Sequence, residues 1–402
     1  MSEKLWKNDK WWVSQYNFYP EVLEKTHIPG NLKFHDVTLR DGEQTPGVVF
    51  RKEEKIEIAR RLSEAGVHRI EAGMPAVSDE DRRAIEEIMK LNLDAEIYAF
   101  ARPLESDIQL CKDCGVQGII VEVPIGKPKL MYQFKYGVEQ TLENSQKAVE
   151  FARAAGLKVV LFPYDATRAD REDIEYYLEG ISGKYKPDSI GVVDTMGCAT
   201  PQAIAYMVEW YKKKLNIPVE IHVHNEFNMS VATSLAAVHA GAEVVHCCLN
   251  GLGERTGNTP IEDLVAALEI LYGYDTGIDL KKLIELCNDT ARMAQYPIPG
   301  KKPVTGKEIF IRESGIGADL VTSIPLAMFA VNPETFNQKA SIKLGKKSGL
   351  LSVETKLKEL NITVEDREIR KKILGEVKQF GIDHKRCLTD DEFIAIVKKH
   401  AQ

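Results

Sequence analysis

The sequence predicts an α/β protein, a (β/α)8 barrel with an appended, mainly helical C-terminal region. Three observations carry that reading. From Leu32 to about Tyr272, short β-rich runs alternate with longer stretches of helical period, the pattern of parallel strands joined by helical crossovers. The alternation gives eight strand candidates within residues 32–272, close to the ~250 residues of a TIM barrel. The residues after the first strand, Thr38-Leu-Arg-Asp-Gly-Glu-Gln44, lack the glycine fingerprint that a doubly wound sheet carries there.

Taken in order, the strands are expected at 33–37, 68–73, 96–100, 118–123, 158–163, 189–193, 219–224 and 244–250. Between them, the helix at 52–65 sets Ile56, Ile58, Ala59 and Leu62 on one side, and the helix at 139–155 repeats Leu142, Ala148, Val149 and Ala152 at helical spacing. Three further helices are expected to open at Ser78-Asp-Glu, Thr200-Pro and Thr259-Pro, the last two as a capping hydroxyl followed by proline at the first helical position. After Tyr272 the alternation stops. A Pro/Gly-rich crossing, Pro297-Ile-Pro-Gly-Lys-Lys-Pro303, leads into charged, largely helical sequence that contains a second glycine-rich turn, Leu344-Gly-Lys-Lys-Ser-Gly349. The organisation read from this is an N-terminal extension (1–31), a barrel (32–272) and a C-terminal helical region (273–402). The extension holds Trp6, Trp11, Trp12, Tyr16, Phe18 and Tyr19, expected to pack on the barrel or on a partner subunit.

Composition narrows the class. With 44% hydrophobic and 28% charged residues the chain is globular, which excludes disorder, collagen and coiled coil. Lys+Arg 53 against Asp+Glu 60 leaves −7, without the basic excess of a nucleic-acid binder. The apolar runs are strand-sized, short of the ~20 residues that span a bilayer, and the first dozen residues have no signal-peptide core. Seven cysteines, an odd number, suit a reducing compartment. Together these give a soluble, cytoplasmic enzyme with no nucleic-acid or membrane partner. Cys111-Lys-Asp-Cys114 stands on a helical stretch with no second pair, and Cys247-Cys248 lies in the eighth strand; both are read as structural.

In such a barrel the chemistry sits at the C-terminal ends of the strands. The seventh strand ends His222-Val-His224, and period two turns both imidazoles to one side, close enough to share a metal. The first strand leads into Arg40-Asp41, a fixed cation and a carboxylate, and the turn at 251–258 can bring the Asn258 amide oxygen to the same centre. This mixed nitrogen and oxygen set suits Mn, Mg or Zn and leaves open positions on the ion. An open-sided ion can chelate a 2-oxo acid and stabilise the alkoxide formed when a carbanion attacks its carbonyl, the chemistry of Claisen-type condensation or its reverse. Arg102, at the end of the third strand, is a candidate anion site in the mouth. Lys127, Lys129 and Lys135 after the fourth strand are read either as steering a CoA phosphate or as a solvated loop.

His35-Asp-Val-Thr-Leu-Arg-Asp-Gly-Glu-Gln-Thr-Pro-Gly47, Ile70-Glu-Ala-Gly-Met-Pro75, Asp194-Thr-Met-Gly197, His222-Val-His-Asn225 and residues 251–258 resemble, in order, the 2-isopropylmalate, homocitrate and citramalate synthases. The superfamily includes 3-hydroxy-3-methylglutaryl-CoA lyase. The resemblance continues into Glu313-Ser-Gly-Ile316 and Leu344-Gly-Lys-Lys-Ser-Gly349, and Gly-Glu-Arg-Thr-Gly-Asn258 is the synthase form of its loop. It implies Asp41, His222 and His224 as metal ligands, with Asn258 a ligand or near neighbour. It further implies Arg40 stabilising enolate or alkoxide charge, Gln44 and Glu71 lining the site, and Thr195 bonding the 2-oxo acid carboxylate. Acetyl-CoA would be the co-substrate, in amino-acid biosynthesis, and a homodimer is expected in which C-terminal segments reach the partner's barrel. The chain resembles the short members, with no room for the leucine-sensing domain of the long ones.

Four positions depart from the family pattern, one of them Lys347, which stands where the family's Leu-Gly-Lys-His-Ser-Gly carries histidine. Tyr164 stands where the synthases carry a glutamate of the acid/base apparatus. Val160 replaces the arginine by which homocitrate synthases hold the distal carboxylate of 2-oxoglutarate, and Gly317 replaces a histidine that in relatives reaches the neighbouring active site. Tyr164, Asp165 and Glu71 are the base candidates, and the tyrosine would need its pKa lowered from ~10. The function expected is condensation of acetyl-CoA with a 2-oxo acid, releasing CoA and a 2-hydroxy di- or tricarboxylic acid, the substrate being left open among homocitrate, citramalate, isopropylmalate and Re-citrate types. The alternatives are a CoA-thioester lyase and a non-catalytic paralogue that binds metal and ligand.

Overall fold

The computed structural model describes residues 5–400; the first four residues of the N-terminal extension and the last two of the C-terminal region lie outside it. The chain divides into two compact units, one of Tyr16–Ile298 and one joining the residues up to Gln15 to those from Pro299 onward.

The first unit is a closed barrel of eight parallel strands in sequential order. They are Lys33–Asp36 (β1), Arg69–Glu71 (β2), Glu96–Ala101 (β3), Gly118–Pro124 (β4), Lys158–Tyr164 (β5), Ser189–Asp194 (β6), Val219–Val223 (β7) and Val244–Cys247 (β8). The ring closes where β8 pairs with β1, Lys33 against Val244 through Asp36 against Cys247. A helix follows each strand: Lys52–Glu64 (α1), Asp79–Lys90 (α2), Glu105–Asp113 (α3), Val138–Ala154 (α4), Arg171–Gly180 (α5), Pro201–Leu215 (α6), Ser230–His239 (α7) and Ile261–Tyr272 (α8).

Local chemistry explains the helix limits. Ser78 accepts a hydrogen bond from the Asp81 amide at the start of α2, whose first turn carries Asp79, Glu80 and Asp81 against the positive end of the helix dipole. Thr200 caps α6 through the Ala203 amide with Pro201 behind it; Lys212, Lys213 and Lys214 fill the last turn, and Asn216 ends the helix in the left-handed region at φ 48. The Thr259-Pro signal resolves differently. Helix α8 begins at Ile261 with no side-chain cap, and the Thr259 hydroxyl is instead hydrogen-bonded to Ser234 Oγ at 2.9 Å.

The barrel unit extends past residue 272. Helix Leu280–Met293 (α9) buries Leu283, Ile284, Leu286 and Cys287, its Asp289 pairs with Arg61 of α1, and Asn250 Nδ2 donates to the Cys287 carbonyl at 2.7 Å. The aromatic extension is divided between the units. Trp12 donates its amide to the Ala330 carbonyl at 2.8 Å and Trp11 bridges Val331, all within the second unit. Tyr16 and Tyr19 meet edge to face at 5.1 Å in the barrel unit and remain exposed. Trp11 and Trp12 are thus tied through their backbone to residues 330–331 of the second unit.

In the second unit, two short parallel strands, Ile311–Arg312 (β9) and Ser341–Ile342 (β10), precede helices Leu350–Glu359 (α10), Arg367–His384 (α11) and Asp390–His400 (α12). Leu344, Val353, Leu357, Ile373, Val377, Phe393 and Val397 form its core. Gly317 adopts φ 68, and a Cβ there would meet Met328 Cε at 2.9 Å, so the backbone at this family-histidine position is shaped to glycine. Cys111, Cys114, Cys247 and Cys248 are buried and unbridged. Burial pushes the Cys114 thiol up to about 11, in keeping with packing rather than reactivity. Among the described residues no helix is long and apolar enough to cross a membrane.

Candidate active site

Alternation along β5 turns Val160, Phe162 and Tyr164 inward, as read from the sequence. There they join Tyr98 and Phe100 of β3, Ile120 of β4 and Val193 of β6 in one buried apolar cluster. Above this wall, at the strand ends, a cavity of about 230 Å³ is lined by Arg40, Asp41, Gln44, Glu122, Thr195, His222 and His224 among others. The larger cleft of about 810 Å³ lies in the second unit, among Lys343, Lys356 and Arg386; size does not mark the chemistry here.

Asp41, His222 and His224 converge. Asp41 Oδ2 is 3.7 Å from His222 Nε2 and 3.9 Å from His224 Nε2, and the two imidazole nitrogens are 3.3 Å apart. Bonds of ~2.1 Å to one ion place neighbouring ligand atoms roughly 3.0–3.4 Å apart, so a small inward movement suffices to enclose a divalent cation. All three are buried. Burial, with His224 adjacent, holds His222 well below the ordinary histidine range, leaving the neutral imidazole that ligates metal. Burial alone would raise the Asp41 carboxyl; Arg40, His224, His222 and Asn258 together outweigh it and keep Asp41 ionised. Asn258 Nδ2 donates to Asp41 Oδ1 at 2.9 Å, and its own Oδ1 is buried without a partner, a further donor available to an ion.

Arg40 is fixed behind this cluster. Its Nε donates to Glu71 Oε1 at 2.5 Å and its Nη1 to Asp41 Oδ2 at 2.8 Å, with Gln44 Oε1 at 3.4 Å and the Phe100 ring centroid at 4.4 Å. Thr195 Oγ1 accepts the Asp165 amide at 2.7 Å, which leaves its hydroxyl hydrogen to donate into the cavity. Nine of the ten residues singled out from sequence thus meet here: seven, Tyr164 among them, line the cavity, and Asn258 and Glu71 lie directly on Asp41 and Arg40. Arg102 does not. Its guanidinium is held bidentately by Asp107 at 2.7 and 3.0 Å, one turn into α3, and is half exposed, so the anion role is corrected: a nearby carboxylate has taken the charge. Lys127 is likewise paired, with Asp170 at 2.5 Å.

The base candidates fare unevenly. Asp165 is locked onto Arg168 by two hydrogen bonds, and Glu71 is held ionised by Arg40 against the effect of its burial. Burial, with the Glu122 charge added, raises Tyr164 above its ordinary value, the reverse of what a phenolate base needs. Tyr164→Phe should therefore keep turnover within about tenfold of wild type, whereas loss of an acid/base group costs ~10²–10⁴; steady-state rates of the two proteins decide it.

Two features were missed from sequence. Glu122 is the lone charge in the apolar run Ile119-Ile-Val-Glu-Val-Pro124, a signal that an inward carboxylate interrupts the wall. The second is a fully buried polar layer one strand step from the site. Glu220 accepts from Arg69 at 2.8 Å and from Ser189 Oγ at 2.5 Å and lies 2.7 Å from His246 Nε2. His246 stacks on His35 at 4.4 Å, and His35 Nε2 is 3.6 Å from Glu71 Oε2. His35, Glu220 and His246 also have metal-ligand spacing. Arg69 already supplies the countercharge to Glu220, so this set is read as scaffold.

Fold and site together define a class, and the comparisons name it: residues 31–289 match the HMGL-like family, and the chain belongs to that family. It is 39% identical to the 2-isopropylmalate synthase of Methanocaldococcus jannaschii over 94% of this chain and 73% of that one. It is 35% identical to homocitrate synthase AksA of Methanothermobacter thermautotrophicus over 97% and 98%, and 38% identical to (R)-citramalate synthase CimA of Methanocaldococcus jannaschii over 92% and 74%. Among solved structures, a hydroxymethylglutaryl-CoA lyase from Pseudomonas aeruginosa superposes with a TM-score of 0.60 at 18% identity, covering 70% of this chain and 98% of that one; it shares the fold.

Proposed function

We propose that the protein is a divalent-metal-dependent acyltransferase that condenses acetyl-CoA with a 2-oxo acid of neutral side chain, of the pyruvate or 2-oxoisovalerate kind, releasing CoA and a 2-hydroxy dicarboxylic acid. The observation that carries this is the junction of two surfaces. Asp41, His222, His224 and Asn258 form a metal-capable cluster that opens directly onto walls of Phe100, Phe162 and Val193. When bound there, the ion polarises the 2-oxo carbonyl as a Lewis acid. Thr195 donates to the substrate carboxylate, Arg40 steadies charge developing on oxygen, and the aromatic wall excludes water. Val160 and Phe162 offer nothing to a distal carboxylate, and Glu122 facing the same space repels one. Of the remaining cations at the cavity, Lys129 opens the short helical turn Lys129–Phe134 after β4, and Arg255 is already paired with Glu226 and Glu254.

The test is acetyl-CoA-dependent CoA release, read by chromatography, with Mn or Mg against pyruvate, 2-oxoisovalerate, 2-oxoglutarate and oxaloacetate. Pyruvate or 2-oxoisovalerate should exceed 2-oxoglutarate by at least tenfold in kcat/KM. Preference for 2-oxoglutarate would overturn the substrate class, and CoA release from none of the four would overturn the synthase reading in favour of the lyase or non-catalytic alternatives.

The homodimer belongs to the same proposal. Val49, Val77, Met131, Tyr132 and Phe227 lie exposed on loops following strands of the barrel, an apolar rim of the kind that association covers. Sedimentation equilibrium should return twice the 45.1 kDa chain mass; a monomer would remove this part.

A further inference from the structure

We infer that Glu122 is the general base of the reaction, a catalytic carboxylate supplied by β4 that takes a methyl proton from the acetyl thioester. This rests on the reading of the protein as an acetyl-CoA-condensing synthase. Three carboxylates line the cavity: Asp41, Glu122 and Glu254. Asp41 is committed to Arg40, Asn258 and the two imidazoles. Glu254 pairs with Arg255 at the rim. Glu122 alone receives no hydrogen bond or ion pair from the described residues; only longer-range charges act on it. Its register partner is Phe162 on β5, and the next residue along that face toward the mouth, Pro124, pairs with Tyr164. The carboxylate therefore projects from an aromatic wall into the space beside the electrophile's site, free to meet a methyl group.

The environment suits the task. Burial raises the Glu122 carboxyl to about 7, with Asp41 and Glu71 adding to the rise and Arg40 and Lys129 opposing it. A base titrating near working pH combines ionised population with proton affinity. The steps balance. Glu122 accepts the proton, and the C–H pair forms the enolate. The enolate carbon bonds to the 2-oxo carbon, whose carbonyl pair moves onto oxygen. The proton held by Glu122 is then available to that alkoxide, which restores the carboxylate. Water cleaves the thioester, its acyl carbon gaining oxygen as CoA leaves as the thiol.

Exchange of acetyl-CoA methyl hydrogens in deuterated buffer reads the first step without condensation when oxamate, a non-electrophilic pyruvate isostere, is supplied with Mn. Wild type should exchange, with a rate rising through a limb near pH 7 set by Glu122 among Arg40, Asp41, Glu71, Lys129 and Tyr164. Glu122→Gln should lose at least ~100-fold and the limb with it, while its Mn affinity stays within twofold and its thermal midpoint is unchanged; Glu122→Asp should fall between. Exchange in Glu122→Gln within tenfold of wild type overturns the assignment, as does loss of Mn affinity in parallel with exchange, or a wild type that does not exchange. Exchange by wild type with no CoA release from any 2-oxo acid would instead fell the condensation reading and leave Glu122 a base.

Discussion

Asp41→Asn should abolish turnover, by roughly a thousandfold or more, while the barrel stays folded. The size follows from what meets at this carboxylate. Arg40 and Asn258 bond to its two oxygens, and both imidazoles face one of them at under 4 Å. An amide keeps the volume and part of the hydrogen bonding but gives up the one negative charge of the ligand set. Lewis-acid stabilisation of a developing alkoxide is worth several kcal/mol, and each 1.36 kcal/mol is about a factor of ten in rate. Folding is spared because Arg40 keeps Glu71 as a partner inside the barrel. Manganese titration calorimetry on both proteins, beside CoA release, checks it. Affinity and rate should fall together, and His224→Ala should behave alike. Full activity in either variant would remove the cluster as the metal centre.

How much of this was open to sequence depends on how local each signal is. The eight strands were legible because parallel strands buried on both faces read as unbroken apolar runs, and observed ends differ by a few residues where β2 and β8 turn early into loops. His222 and His224 were legible because strand period two is rigid geometry. Thr259 failed as a cap because the Ser234 hydroxyl, 25 residues away, competes for it. Arg102 failed because an apparent free cation at a strand end says nothing of Asp107, which claims it. Glu122 was passed over because its meaning comes from β5 and from the segment after β1: only with Phe162 beside it and Arg40, Asp41 and Tyr164 around the same cavity does one acidic residue in an apolar strand become chemistry. The division of the Trp-rich extension follows from hydrogen bonds to residues over 300 positions away, which no local pattern encodes.

The buried layer under the site leads to the second large effect, on stability. Arg69→Met should destabilise the barrel unit by about 3–5 kcal/mol, the range found when one partner of a buried ion pair is removed. Glu220 is fully buried, and Arg69, whose guanidinium meets it at 2.8 Å, keeps just 13% of its side chain exposed. Methionine fills much of the volume, so the loss is chiefly an anion left in the protein interior with only Ser189 and His246 to hold it, together with the guanidinium packed on Tyr98 at 5.0 Å. For a unit of this size each kcal/mol moves the midpoint by roughly 2–4 °C, so a fall on the order of 10 °C is expected in the thermal transition. The double variant Arg69→Met, Glu220→Gln should recover a substantial part of it, because a neutral amide costs far less to bury than a carboxylate. If the single variant melts within 2 °C of wild type, or the double variant is no more stable than the single, then Glu220 is not carried by Arg69. The linked contacts from Glu220 through His246, His35 and Glu71 to Arg40 would then lose their standing as the support that aims Arg40 at the cavity.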